Sequence, residues 1–167
     1  TVDGEVKSLQ AGASNDFINV VNITQVDTAF DGGLGDNDTL SVSADSQVVS
    51  FNLVTGIETV TASGAGSTLE GADETNIWNI TDASIGTLNT NSFSGFANLT
   101  GGTEVDTFTL GDITDITGLI DGGTGVVDGV TGLPATHTDT VTINDNTVAQ
   151  DITLGVEIAN IETLTAL

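Results

Sequence analysis

The sequence predicts an all-β chain wound as a parallel β-solenoid, and three observations predict it. The apolar residues are mainly Val, Ile and Leu set among Thr, a strand-forming mixture, and the 167 residues include 21 Gly but one Pro. Apolar centres recur near Ile18, Leu40, Val60, Trp78 or Ile80, Leu99, Leu119, Val141 and Ile161, at steps of 18 to 22 residues. Gly, Asp and Asn, the residues that turns demand, fill the spaces between them. Helical spacing of apolar residues is nearly absent.

Taken in order, the predicted strands carry the period-2 alternation of a half-buried sheet. It is visible at Thr39-Leu40-Ser41-Val42, Phe51-Asn52-Leu53, Thr107-Phe108-Thr109-Leu110, Val141-Thr142-Ile143 and Ile152-Thr153-Leu154. Stacked at about 4.8 Å, roughly eight coils would make one rod about 38 Å long. The alternative is an immunoglobulin-like β-sandwich, which also spaces its strands at about 8–12 residues. It leaves unexplained why glycine, aspartate and aliphatic residues recur in one register.

The period sits inside a longer duplication. Leu9 to Gly35 aligns with Leu99 to Gly125 at a constant offset of 90. Further on, Asp38-Thr39-Leu40 matches Asp139-Thr140-Val141, and Ile57-Glu58-Thr59-Val60 matches Ile161-Glu162-Thr163-Leu164. The chain is therefore expected to be one domain, residues 1–167, made of two diverged repeats of about 90 residues. They cover about 9–62 and 99–166, with 126–138 as an inserted loop that carries Pro134 and His137.

Charge narrows the function. Twenty-four Asp and Glu stand against one Lys or Arg, a formal charge of −23. One cation, Lys7, cannot neutralise phosphates, so nucleic acid is excluded as a partner, and so is recognition of an anionic membrane surface. No apolar run is long enough to span a bilayer. With no Cys, disulfides, thiolate metal sites and thiol nucleophiles are out of reach. The chain begins at Thr1 and contains no Met, as a processed or excised piece of a longer protein would.

The turns carry the most specific chemistry. Gly32-Gly33-Leu34-Gly35-Asp36-Asn37-Asp38-Thr39-Leu40 is close to the nonapeptide G-G-x-G-x-D-x-U-x, with one extra residue before the aspartate. Gly101-Gly102-Thr103-Glu104-Val105-Asp106 keeps the spacing with Glu104 in place of the third glycine, and Gly122-Gly123-Thr124-Gly125-Val126-Val127-Asp128 keeps the glycines. Ala11-Gly12-Ala13-Ser14-Asn15-Asp16 is a weaker copy. These blocks resemble the haemolysin-type (RTX) calcium-binding repeats of secreted bacterial proteins. Together with Phe93-Ser94-Gly95-Phe96-Ala97-Asn98-Leu99, they also resemble the repeats of filamentous-haemagglutinin-like surface proteins.

The resemblance implies Ca²⁺ between successive turns, with Asp16, Asp31, Asp36, Asp38, Asp106, Asp121 and Asp128 as the oxygen ligands. Asp38 lies 22 residues after Asp16, and Asp128 lies 22 after Asp106, one coil apart in each case. The competing reading makes the same blocks plain corner turns, in which Asp bonds its own backbone.

Catalysis has little support, and no enzyme is expected. Lyases on such folds need a cation to stabilise charge, and Lys7 stands alone. His137 is expected to be a loop residue, Trp78 a core plug, and the Thr-x-Thr triplets outward-facing strand residues. Glu58 and Glu162, at matching sites, are expected to make solvent or turn contacts. The expected role is a structural segment of a secreted cell-surface or extracellular-matrix protein, a fibre or stalk. It would partner itself head to tail or neighbouring repeats of a longer chain. The alternative is a calcium-dependent adhesin module that binds glycan.

Overall fold

The computed structural model describes residues 8–23, 28–111, 118–124, 129–133, 150–152, 156–159, 161 and 163–166. The described residues are all-β, without an α-helix. The first strands are β1 (Ser8–Gln10), β2 (Phe17–Val20), β3 (Ala29–Asp31), β4 (Thr39–Val42) and β5 (Val48–Ser50). One 3-10 turn, Phe51–Leu53, leads to β6 (Val54–Thr55), β7 (Thr59–Ala62) and β8 (Thr68–Glu70). Next come β9 (Ile77–Asp82), β10 (Ile85–Leu88), β11 (Asn91–Ser94), β12 (Asn98–Thr100) and β13 (Thr107–Leu110). The last are β14 (Leu119–Asp121), β15 (Gly129–Leu133), β16 (Gln150–Ile152), β17 (Val156–Ala159) and β18 (Thr163–Ala166).

These strands form three sheets. The long sheet runs β18-β15-β13-β9-β10-β11-β7-β4-β2, a second runs β16-β17-β14-β12-β8-β5, and the shortest is β1-β3-β6. Pairing is parallel wherever β10 and β16 are not involved. Ser8 pairs with Ala29, Phe17 with Thr39, Thr39 with Thr59, Val48 with Thr68 and Thr107 with Gly129. Each of these pairs spans 20 to 22 residues, so the sequence period is the pairing register.

Register also builds the core. Ile18, Leu40, Val60 and Phe93 are successive neighbours on the inner face of the long sheet, and all four are buried. Val49, Leu69, Leu99 and Ile120 form the corresponding column of the second sheet. Burying one such side chain stabilises by about 1.5–3 kcal/mol. The alternating residues, Thr39, Thr59, Thr107 and Thr109 among them, are half-buried on the opposite face of the long sheet.

Strand starts recur along the chain. Strands β1 to β4 recur as β12 to β15 with starts 90 residues apart: Ser8 and Asn98, Phe17 and Thr107, Ala29 and Leu119, Thr39 and Gly129. Strand β7 recurs as β18, from Thr59 to Thr163. Gly33 and Gly123 have matching φ of 91° and 90°. At each, the next residue's N–H reaches back one period, Leu34 to Gly12 O at 3.0 Å and Thr124 to Gly102 O at 2.8 Å.

Three expectations need correction. Phe51–Leu53 are not a strand: the chain leaves the second sheet for the shortest one there, and Val54 N–H bonds Phe51 O to close a turn. Gly129–Leu133, inside the span 126–138 read as an inserted loop, form a strand paired with β13 and β18. Its Asp128-Gly129-Val130 keeps the offset of 90, whereas the more identical Asp139-Thr140-Val141 does not; residues 126–128 and 134–140 lie outside the described residues. The apolar centres also do not stay on one sheet, since Leu99 and Leu119 fall in the second. The cause is the antiparallel meander β9-β10-β11, which stretches the spacing to 30 residues at Thr68–Asn98 and Ile77–Thr107. Val141 lies outside the described residues, and of Ile152–Leu154 only Ile152 is described, at the end of β16.

Candidate functional site

The aspartates predicted as ligands occupy two structural positions. Asp16, Asp38 and Asp106 each stand directly before a strand of the long sheet, and Asp31 and Asp121 end β3 and β14. Asp36 is exposed in the turn between β3 and β4, and Asp128 lies outside the described residues.

Residues before the long-sheet strands form a ladder that climbs from pass to pass. The backbone N–H of Asp16 donates to Asp38 Oδ1 at 2.6 Å, and that of Asp38 to Glu58 Oε2 at 2.7 Å. In the second half the backbone N–H of Asn76 donates to Asp106 Oδ1 at 2.9 Å. The Asn76 amide reaches the same oxygen at 2.8 Å and Gly101 O at 3.0 Å. Carbonyls complete the ladder, with Thr39 N–H on Asp16 O, Thr59 N–H on Asp38 O and Thr107 N–H on Asn76 O. Asp38, Asn76 and Asp106 are fully buried. A carboxylate there satisfies a backbone donor that the turn would leave without a strand partner.

The second position behaves differently. Asp31 Oδ1 accepts Gly33 N–H at 2.9 Å, and Asp121 Oδ1 accepts Gly123 N–H at 2.9 Å. These are Asx turns, local devices that hold each Gly-Gly corner. Asp31 Oδ2 is also engaged, by Gln10 Nε2 at 2.8 Å. Beside it, a groove of about 300 Å³ is lined by Gln10, Phe30, Asp31, Asn52 and Thr55, among others.

Glycine is required where these corners stack. At Gly33 a Cβ would lie 2.0 Å from Gly12 O and at Gly123 2.2 Å from Gly102 O, and both have positive φ. The Gly-Gly pairs allow one corner to lie on the next.

A metal centre needs several carboxylates gathered around one point. Among the described residues, no three acidic or histidine side chains come together in that way. The predicted residues are strung along the stack instead. Asp38 Oδ2 is fully buried without a hydrogen-bond partner.

The strongest polar positions were not singled out from the sequence. Asn76 stands in the ladder where the aspartates stand, and the signal was its place directly before the alternating Ile77-Trp78-Asn79-Ile80. Gln47 and Ser67 are buried at the corner leading into β5 and β8, where Gln47 N–H donates to Ser67 Oγ at 3.2 Å and Gln47 Oε1 accepts Ile23 N–H at 2.5 Å. Their spacing of 20 residues was the available signal. Trp78 is a core residue as expected, fully buried, stacked on Phe108 at 5.3 Å and edge-on to Phe93 at 5.8 Å. His137 lies outside the described residues.

No helix among the described residues is long and apolar enough to cross a membrane. Compared with protein-family models, curated proteins and solved structures, the chain matches none.

Proposed function

We propose that the chain is a structural segment of a secreted bacterial cell-surface or extracellular-matrix protein, a stalk or fibre element whose three sheets are the faces of a β-solenoid. One observation carries the reading: parallel neighbours 20 to 22 residues apart recur through all three sheets. A winding chain pairs in this way, whereas an immunoglobulin-type sandwich pairs its strands antiparallel. The function follows mechanically. Each pass is held to the next by backbone bonds, by side-chain ladders such as Asp16–Asp38–Glu58, and by continuous aliphatic columns. Among the described residues the polar groups that face water are Thr, Ser, Asn and carboxylates, beside exposed apolar side chains such as Leu34 and Ile77. Secretion is supported by the resemblance of the Gly-Gly and aspartate blocks to repeats of secreted bacterial proteins, and by an acidic composition that keeps an exposed chain soluble.

The test is thermal unfolding followed by circular dichroism, together with protease digestion of the folded chain. A structural stalk gives a cooperative strand-to-coil transition and a protected fragment that spans both repeats. Rapid digestion at many sites in buffer would overturn the reading.

Calcium-dependent adhesion to glycan is the second reading, and the buried, unpartnered Asp38 Oδ2 favours it. A cation held by Asp38 and nearby turn carbonyls would satisfy that oxygen. Addition of Ca²⁺ after EDTA would then raise the melting temperature well beyond an equal ionic strength of NaCl.

A further inference from the structure

We propose that the free edge formed by β1 and β2 is a strand acceptor, built to be covered by a strand–turn–strand segment of the Thr68–Asp82 type from a neighbouring repeat unit. The inference rests on the stacked-repeat reading above and names the partner of one end of the stack.

The argument comes from the duplication within the chain. Strands β1 and β2 correspond to β12 and β13, and the outer edges of β12 and β13 are covered by β8 and β9. That cover is in register, Asn98 with Thr68, Leu99 with Leu69, Thr107 with Ile77 and Phe108 with Trp78. Gly71 N–H adds a bond to Thr100 O at 2.8 Å, and Asn76 brings its amide and backbone N–H to Asp106.

The same positions at β1 and β2 are built alike, and no other described strand covers them. Leu9 is 38% exposed where Leu99 is 3% exposed. Ser8 and Gln10 are exposed where Asn98 and Thr100 are half-buried. Asp16 is half-buried where Asp106 is fully buried, and Gly12 is exposed where Gly102 is buried. Phe17, which opens β2, and Val21, just past its end, are about two-thirds exposed at 67% and 69%. The backbone completes the case. Thr39 N–H bonds Asp16 O and Ser43 N–H bonds Val20 O, so Ile18 and Val20 spend their peptide groups on β4 while those of Phe17 and Asn19 face away. Such an edge is a template for another strand.

An intact second copy cannot supply the cover through its own Thr68–Asp82. In the folded chain β8 already pairs with β5 and β12, and β9 with β10 and β13. The donor is therefore the corresponding segment of another repeat unit, and its recognition elements are an Asn before the second strand and an apolar residue two places later.

A fluorophore-labelled peptide of residues 68–82, titrated into the full chain and followed by anisotropy, tests this directly. Both partners are acidic, so the titration is run at about 0.5 M NaCl, where the screening length is only a few ångströms. Saturable binding at one peptide per chain is expected. Asn76→Ala in the peptide removes the side-chain amide bond to the Asp16 carboxylate, leaving the backbone one, and weakens binding about tenfold. Asn19→Pro in the chain blocks the outward edge while sparing the bonds to β4, with a similar loss. Should Asn19→Pro fail to fold, the Asn76→Ala peptide still decides the matter on the natural chain. No saturable binding, or binding indifferent to Asn76→Ala, overturns the proposal. So does binding that occurs only after residues 1–7 are deleted, because the edge then belongs to the chain's own start. A protease-resistant, cooperatively melting chain that ignores the peptide loses this edge assignment alone, whereas a chain that is digested rapidly loses the stalk reading itself.

Discussion

At the scale of single residues, the ladder and the ligand readings of the aspartates make opposite demands. In the ladder, Asp38 matters because its Oδ1 holds the Asp16 N–H, whereas Asp36 is exposed and dispensable. Asp38→Ala is expected to cost about 1 kcal/mol or more in urea unfolding, because the half-buried Asp16 N–H loses its acceptor. Asp36→Ala should leave the urea midpoint where it is, with or without Ca²⁺. Equal, calcium-dependent losses at both positions would mark them as ligands instead. The corner glycines give a second contrast. Gly33→Ala forces a side chain into positive φ and against Gly12 O, which costs about 3 kcal/mol or more. Gly12→Ala meets its nearest atom at 3.6 Å and should be close to neutral. The one-period spacing of Asp16 and Asp38 was legible in the sequence, but spacing alone could not say whether the carboxylate faces an ion or an N–H. That depends on how closely the passes stack, a tertiary fact.

Among the elements, β9-β10-β11 decides how the two repeats join. The strand period, the Gly-Gly corners and the offset of 90 were all readable, because the same demand recurs at each period: alternation by the pleat, glycine by crowding against the neighbouring corner, aspartate by a turn donor. The meander was not readable, because a reversal at Asp82-Ala83-Ser84-Ile85 carries neither Gly nor Pro. Its turns instead use Ser84 and Asn89 at φ of 54° and 52°, of which only Asn is a favoured choice. Without the meander, the steps at Leu99 and Leu119 read as a continuation of those at Ile18, Leu40 and Val60, although both residues fall in the second sheet. Its packing rests on Trp78, fully buried between Phe93 and Phe108. Trp78→Ala should cost about 3–5 kcal/mol and, on the solenoid reading proposed above, uncouple the halves, since stacked units communicate only through their neighbours. The measurement is urea unfolding by circular dichroism, expected to change from one transition to two. A single transition at a lower midpoint would mean that the halves are coupled elsewhere.

For the whole molecule the governing quantity is charge. A chain of 167 residues with 24 acidic groups and one Lys or Arg repels itself in the folded state more than in the expanded one, because stacking brings like charges closer. The ladder sharpens this, as Asp16, Asp38 and Glu58 follow one another directly. Screening relieves the repulsion over a distance of about 10 Å at 0.1 M salt, so stability should rise as salt is added. Between about 10 mM and 0.5 M NaCl we expect the melting temperature to climb by several degrees, at about 2–4 °C per kcal/mol for a domain of this size. Divalent ions separate screening from binding. If the carboxylates act only as ladder and surface charge, CaCl₂ and MgCl₂ matched to NaCl in ionic strength give similar curves. If Asp38 Oδ2 completes a cation site, Ca²⁺ alone adds a saturable increment at low concentration, and Asp38→Asn removes it while leaving the NaCl response intact. The two mechanisms therefore divide at one residue, with one melting apparatus and three salts.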